Sequence, residues 1–168
     1  MVLAQLAQFD LRIRVGRESD ADLIHRGLKL IAAHLSLEDK VTATVEDIRR
    51  HGFGSRPAFA TLIAEVSGQF AGLCLYFDSF STWSGRPGAY IQDLVVDPQF
   101  RGLGVGETLM RAAIARIWAA GGRYVRLSVD ASNTGAHRFY EKMGLEWCQE
   151  ERIYALRGDA FASIASPS

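Results

Sequence analysis

The sequence predicts an α/β domain on a mixed, mostly antiparallel sheet, and three observations carry that expectation. Segments of strand period alternate with segments of helical period, a hairpin signal joins two of the strands, and a glycine-rich run stands where a strand must turn into a helix. In chain order, Leu11-Arg12-Ile13-Arg14-Val15 alternates apolar and charged residues as a half-buried strand does. Ser19-Asp20-Ala21-Asp22 reads as a capping box opening a helix through Leu23, Ile24, Leu28, Ile31 and Leu35. Thr44-Val45-Glu46-Asp47 opens a shorter helix, stopped near Gly52 and Gly54. Phe59 to Val66 and Phe70 to Phe80 are rich in β-formers and meet at the turn Ser67-Gly68. Trp83 to Gly88 is a punctuated loop, and Tyr90 to Val96 is a strand ended by Asp97-Pro98.

The helix expected from Glu107 to Ala120 carries Leu109, Ala113 and Ile117 on one stripe and Met110, Ile114 and Trp118 beside it, with Gly121-Gly122 as its stop. Tyr124 to Val129 is a strand, and Ser132-Asn133-Thr134 starts a short helix ending at Gly144. Cys148 to Leu156 is expected as a last strand, and the small, polar tail from Gly158 to Ser168 is expected to fray. With 168 residues, 48% of them apolar, the chain is read as a single domain over 1–168 with its core at about 11–156.

Charge excludes some functions. Nineteen basic and nineteen acidic residues cancel, which leaves no global field to draw in nucleic acid or an anionic membrane. Met1 to Phe9 lacks a basic leader region and no apolar run reaches bilayer length, so a soluble, cytoplasmic protein is expected. Cys74 and Cys148 both sit in apolar runs and are expected as buried free thiols. His25, His34, His51 and His137 have no ligand spacing with them, and no metal is expected.

The run Arg101-Gly102-Leu103-Gly104-Val105-Gly106 carries the functional signal. A helix N-terminus behind glycines suits a phosphate or diphosphate. A P-loop would need Lys and Ser or Thr after the last glycine, where this chain has Glu107-Thr108. The dinucleotide fingerprint would need glycine at Glu107 or Leu109. What remains is R-x-x-G-x-G, which resembles the acyl-CoA diphosphate loop of the GCN5-related N-acetyltransferase (GNAT) superfamily. The element order β-α-α-β-β-β-α-β-α-β from Leu11 to Leu156 is similar as well. His51-Gly52-Phe53-Gly54, Ala64-Glu65-Val66, Leu75-Tyr76-Phe77, Thr82-Trp83-Ser84-Gly85 and Asp93-Leu94-Val95-Val96 resemble the diamine (spermidine/spermine) N-acetyltransferase branch.

The resemblance implies the GNAT acyl-CoA N-acyltransferase fold, with six to seven strands flanked by four helices, acetyl-CoA as cosubstrate, a small-molecule amine as acceptor, and a homodimer. It implies that Leu94, Val95 and Val96 offer backbone to the acetyl and pantetheine portions, and that Arg101, Gly102, Leu103, Gly104, Val105 and Gly106 hold the diphosphate. It also implies that Asn133, Ala136 and Tyr140 flank the pantetheine arm, with Tyr140 beside the thioester sulfur as acid. A lysine-like amine is neutral in only about one molecule in 2,500 at pH 7, a deficit of roughly 4 to 5 kcal/mol, so a base is needed. The leaving thiolate has a conjugate acid near pKa ~8.5 and gains only modestly from an acid. In the diamine branch a glutamate precedes the strand aspartate; here the pair is Gln92-Asp93. Gln92 cannot take a proton, and Asp93 reaches its face only through a β-bulge, which would also free a backbone N–H as oxyanion donor. Asp93 is the catalytic candidate, with Glu65, Asp78 and Asp130 as other carboxylates and Gln92, Trp83 and Tyr76, with Phe80 nearby, on the acceptor side. The alternatives are a non-catalytic acyl-CoA-binding regulatory module and a transferase acting on protein amino groups through the Phe80–Gly88 loop.

Overall fold

A computed structural model describes residues 10–165, which divide into two compact units, 10–130 and 131–165. Residues 1–9, where a basic leader region would stand, lie outside the described residues. In the first unit the order is β1 (Leu11–Val15), α1 (Ala21–Leu35), α2 (Val45–Gly52), β2 (Ala60–Val66), β3 (Gln69–Ser81), β4 (Arg86–Val96), α3 (Val105–Ala119) and β5 (Val125–Leu127). The five strands lie in sequence order; β1 to β4 are antiparallel and β5 joins β4 in parallel. Parallel neighbours need a long crossover connection, and α3 supplies it.

Local chemistry accounts for the element ends. Thr44 caps α2, its Oγ1 accepting from Asp47 N at 3.1 Å while the Asp47 carboxylate accepts from Thr44 N at 2.8 Å. Ser67 (φ 49°) and Gly68 (φ 77°) both adopt left-handed backbone, the pairing that a two-residue hairpin between β2 and β3 requires. The expected Ser19–Asp22 box is not formed. Residues Glu18–Asp20 make a 3-10 turn, and the Asp20 carboxylate is taken instead by Arg14, at 2.7 and 2.9 Å, and by Arg17 N at 2.7 Å. Arg14 also reaches Glu65 at 2.8 Å, so β1, β2 and the start of α1 share one guanidinium, which holds the Asp20 carboxyl below its ordinary range.

One face of the sheet is packed by α1 and α2. Ile63, Leu73, Leu75 and Val95 meet Ala21, Ile24 and Ile48 there, and a Cβ on Gly27 would strike Leu73. Helix α3 buries Val105, Leu109, Met110, Ala113 and Ile117 against β4, β3 and β2. Trp118 does not extend that stripe: it is 63% exposed and lies under the Arg123 guanidinium.

The second unit contains α4 (Thr134–Lys142) and α5 (Gly158–Ala165). Asn133 caps α4, its side chain accepting from Ala136 N at 3.1 Å. The expected strand from Cys148 to Leu156 is absent: the polar run Gln149-Glu150-Glu151-Arg152 breaks the apolar alternation, and Glu151 N turns back to Cys148 O. Residues Gly158–Ala165 form a helix rather than a frayed tail. Among the described residues the sheet therefore has five strands, not six or seven, and there are five α-helices rather than four.

Candidate active site

Two neighbouring features of the first unit define the candidate site. The first is the turn between β4 and α3. Asp97, almost fully buried, anchors it: Arg26 Nη2 donates to Oδ2 at 2.6 Å, Gln99 N donates to Oδ1 at 3.2 Å, and Asp97 N donates to Ala71 O at 2.9 Å. Ala71 is the extra residue of an irregularity in β3, since Gly72 pairs with Ala64 and Phe70 with Glu65. Pro98–Phe100 make a 3-10 turn, Arg101 Nε reaches back to Val96 O at 3.4 Å, and Gly102 and Gly104 stand at φ 76° and 79°. Gly104 is the N-cap of α3 and puts no side chain over the first-turn N–H groups. The one acid of that turn, Glu107, is drawn toward Arg111 at 2.9 Å. The helix start thus presents backbone donors and a partial positive charge with no carboxylate capping them.

The second feature is a bulge in β4. Tyr76 pairs with Ile91 and Leu75 with Asp93, leaving Gln92 as the extra residue. Beyond it, β5 pairs only with Ala89, Tyr90 and Ile91, so from Gln92 through Leu94, Val95 and Val96 the β5-facing edge of β4 has no strand partner among the described residues, while its other edge stays paired with β3. The bulge turns Asp93 onto the face of Leu75, Leu73 and Val95, while the Gln92 side chain is exposed. Burial in these apolar surroundings pushes the Asp93 carboxyl up to about 6.

The acceptor-side residues expected from the sequence separate. Tyr76 is buried on the opposite face from Asp93, where it lines a groove with Asp78, Arg116 and Ile117 of α3. Trp83 sits in the β3–β4 turn with its side chain wholly in solvent, and Phe80 is 61% exposed. The other carboxylates fall elsewhere: Glu65 pairs with Arg14, while Asp78 and Asp130 are exposed. Two residues that the sequence reading passed over, Phe77 and Tyr90, share the Asp93 face. Counting back from the Ser81–Arg86 pair pairs Phe77 with Tyr90, so the hairpin held that signal.

Cys74 is buried, and desolvation, with the nearby Asp93 charge adding to it, pushes its thiol up to about 12, which makes it inert as a nucleophile. Cys148 is exposed, against expectation, because the strand that would have buried it does not form. His25 Nε2 lies 2.9 Å from Ala43 O and ties α1 to the segment before α2. Among the described residues, no group of three or more His, Cys, Asp or Glu side chains is arranged as metal ligands would be. In the second unit, Tyr140 is half-buried, one turn beyond Ala136, with its ring edge-on to Phe139 at 5.1 Å.

A family model described as acetyltransferase (GNAT) matches residues 30–145. The chain belongs to that family. As a GNAT protein it is an acyltransferase, and its relatives carry N-acetyltransferase names. The thialysine N-epsilon-acetyltransferase of Sus scrofa is 33% identical over 164 residues, covering 91% of this chain and 96% of the relative. That of Bos taurus is 30% identical over 164 residues, with the same coverage of 91% and 96%. Among solved structures, an integron cassette protein from V. cholerae superposes with a TM-score of 0.78 at 20% identity, over 94% of this chain and 98% of that one, which shows the fold. No helix among the described residues is long and apolar enough to cross a membrane.

Proposed function

We propose that this GNAT enzyme transfers acetyl from acetyl-CoA directly to a primary amine of a small aliphatic molecule, with Asp93 receiving the amine's proton. The observation that carries the reading is the bulge at Gln92, which gives β4 a half-buried carboxyl of pKa about 6 beside an unpaired strand edge. A carboxylate of ordinary pKa would be a base weaker by about two orders of magnitude, whereas one near 6 is still mostly ionised at pH 7. It therefore offsets part of the cost of deprotonating an alkylammonium. The thialysine acetyltransferases are relatives of this chain, and their named substrate is a lysine-like amine, which supports an acceptor of that class.

Acetyl-CoA, when bound, supplies an activated thioester and carries a diphosphate. The residues fit it: Gly102 and Gly104 keep Cβ atoms away from the turn, and the start of α3 offers backbone donors. Leu94, Val95 and Val96 are read as holding the pantetheine and acetyl portions through the β4 edge, with a backbone N–H at the bulge donating to the carbonyl oxygen as charge gathers there. Tyr140 is read as the acid that protonates the departing sulfur, and Asn133 and Ala136 as flanking the pantetheine arm, all by resemblance. The two units are read as one acetyltransferase domain, in a cytoplasmic homodimer.

A thiol-release assay with acetyl-CoA against lysine, thialysine, putrescine, spermidine, an aminoglycoside and a short peptide tests the reading. Turnover of the small aliphatic amines is expected. Tight CoA binding with no turnover across the panel contradicts it. Light scattering after gel filtration checks the dimer, which a monomer mass would exclude.

A further inference from the structure

The acceptor face carries a feature that the proton transfer does not use. Phe77 and Tyr90 are cross-strand partners whose rings stack, centroids 5.3 Å apart and planes 20° from parallel. The Tyr90 hydroxyl lies 2.6 Å from Ser128 Oγ, which tethers that ring toward the end of β5. Tyr90 and Asp93 are three positions apart, an odd spacing that in a regular strand would send them to opposite faces. Because Gln92 is extra, both lie on one face as successive positions, Phe77–Tyr90 and then Leu75–Asp93. Phe77 is 37% exposed and Tyr90 half-exposed, so the stack is an open wall rather than core packing. Two large rings left open beside a half-buried carboxylate form a receptor for an organic cation: the outward faces and edges of the stack attract an ammonium or cover its methylenes, and the carboxylate takes the charge.

We infer that the Phe77–Tyr90 pair is the wall against which the alkyl chain of the acceptor lies, and that Tyr90 determines specificity for unbranched alkylammonium chains. The inference rests on the reading of Asp93 as base. The stacked pair leaves an outward ring face and a row of ring edges, along which an extended chain can lie. A branch beside the amine would lift that chain off the rings and carry the nitrogen away from Asp93.

The test uses n-butylamine, 1,4-diaminobutane and 2-aminobutane with the wild type, Tyr90→Ala and Tyr90→Phe. In the wild type, kcat/KM for n-butylamine is expected to exceed that for 2-aminobutane at least tenfold. Tyr90→Ala should raise KM for the two unbranched amines about tenfold, with kcat falling less than threefold and KM for acetyl-CoA unmoved, and should erase the preference. Tyr90→Phe keeps the ring without the Ser128 bond and should stay within about threefold of the wild type. A merely structural role would instead depress kcat and raise both KM values together, and would overturn the inference. A second readout is nuclear magnetic resonance of the Phe77 and Tyr90 rings during titration with n-butylamine. Acetylation without ring shifts, or an unmoved amine KM in Tyr90→Ala, overturns the wall and leaves the reaction standing. Ring shifts in a protein that acetylates none of the amines support the wall and overturn the reaction. Neither shifts nor turnover overturns both.

Discussion

The turn from Asp97 to Gly106 and the bulged strand that leads into it are neighbours in sequence, yet in the proposed function they would serve their ligands by opposite means. The turn works with backbone: two left-handed glycines and a helix start whose N–H groups no side chain covers. The strand works with side chains whose facing is set by one extra residue, so that a carboxyl and two aromatic rings come to the same surface. The first depends on conformations that only glycine adopts at little cost, the second on a register that belongs to a pair of strands. Each should therefore fail in its own way: the turn by losing affinity for CoA, the strand by losing chemistry.

Asp93→Asn is the sharpest break, expected to lower kcat/KM about 100-fold or more while CoA affinity changes little. The same change should stabilise the fold. The Asp93 pKa is raised by folding, so ionisation penalises the native state progressively between about pH 4 and pH 6, and the penalty stays in place above that range. At pH 7 the asparagine variant should be the more stable by up to about 3 kcal/mol, with the two proteins converging near pH 3, as denaturant melts would show. Gly104→Val puts a β-branched residue at φ 79° and is expected to weaken CoA binding about 10- to 100-fold by calorimetry. Equal affinity would sink the backbone account of the turn. Tyr140→Phe should cost about tenfold in kcat with CoA affinity kept, because the thiolate leaves readily without help. At the small end, Gln92→Ala should move kcat/KM less than about threefold, since its exposed side chain is not what makes the bulge useful. A large loss there would shift the chemistry from Asp93 to Gln92.

The same contrast separates what the sequence disclosed from what it did not. The Thr44 cap, the Ser67-Gly68 hairpin and the glycine turn are written in residues within a few positions of one another, and each stands where it was expected. Asp20 went astray because a tertiary partner, Arg14, outbids the helix end for its carboxylate. The stretch after Gln149 went astray because strand propensity at Ile153, Tyr154 and Leu156 comes to nothing without a paired neighbour. Strand alternation placed Asp93 only conditionally, since one inserted residue reverses every facing beyond it. Tyr76 stood out from its local apolar company, yet the register puts it beneath α3 and gives Phe77 the Asp93 face.

The pH dependence of kcat/KM for a lysine-like amine, in the wild type and in Asp93→Asn, tests the central claim most directly. With Asp93 as base and the amine arriving as ammonium, the wild-type profile should rise through a pKa of about 6, hold a plateau and fall near the amine's own pKa. In Asp93→Asn the limb near 6 should vanish and the rate should climb about tenfold per pH unit with the neutral amine. A limb near 6 that survives the substitution would contradict the account.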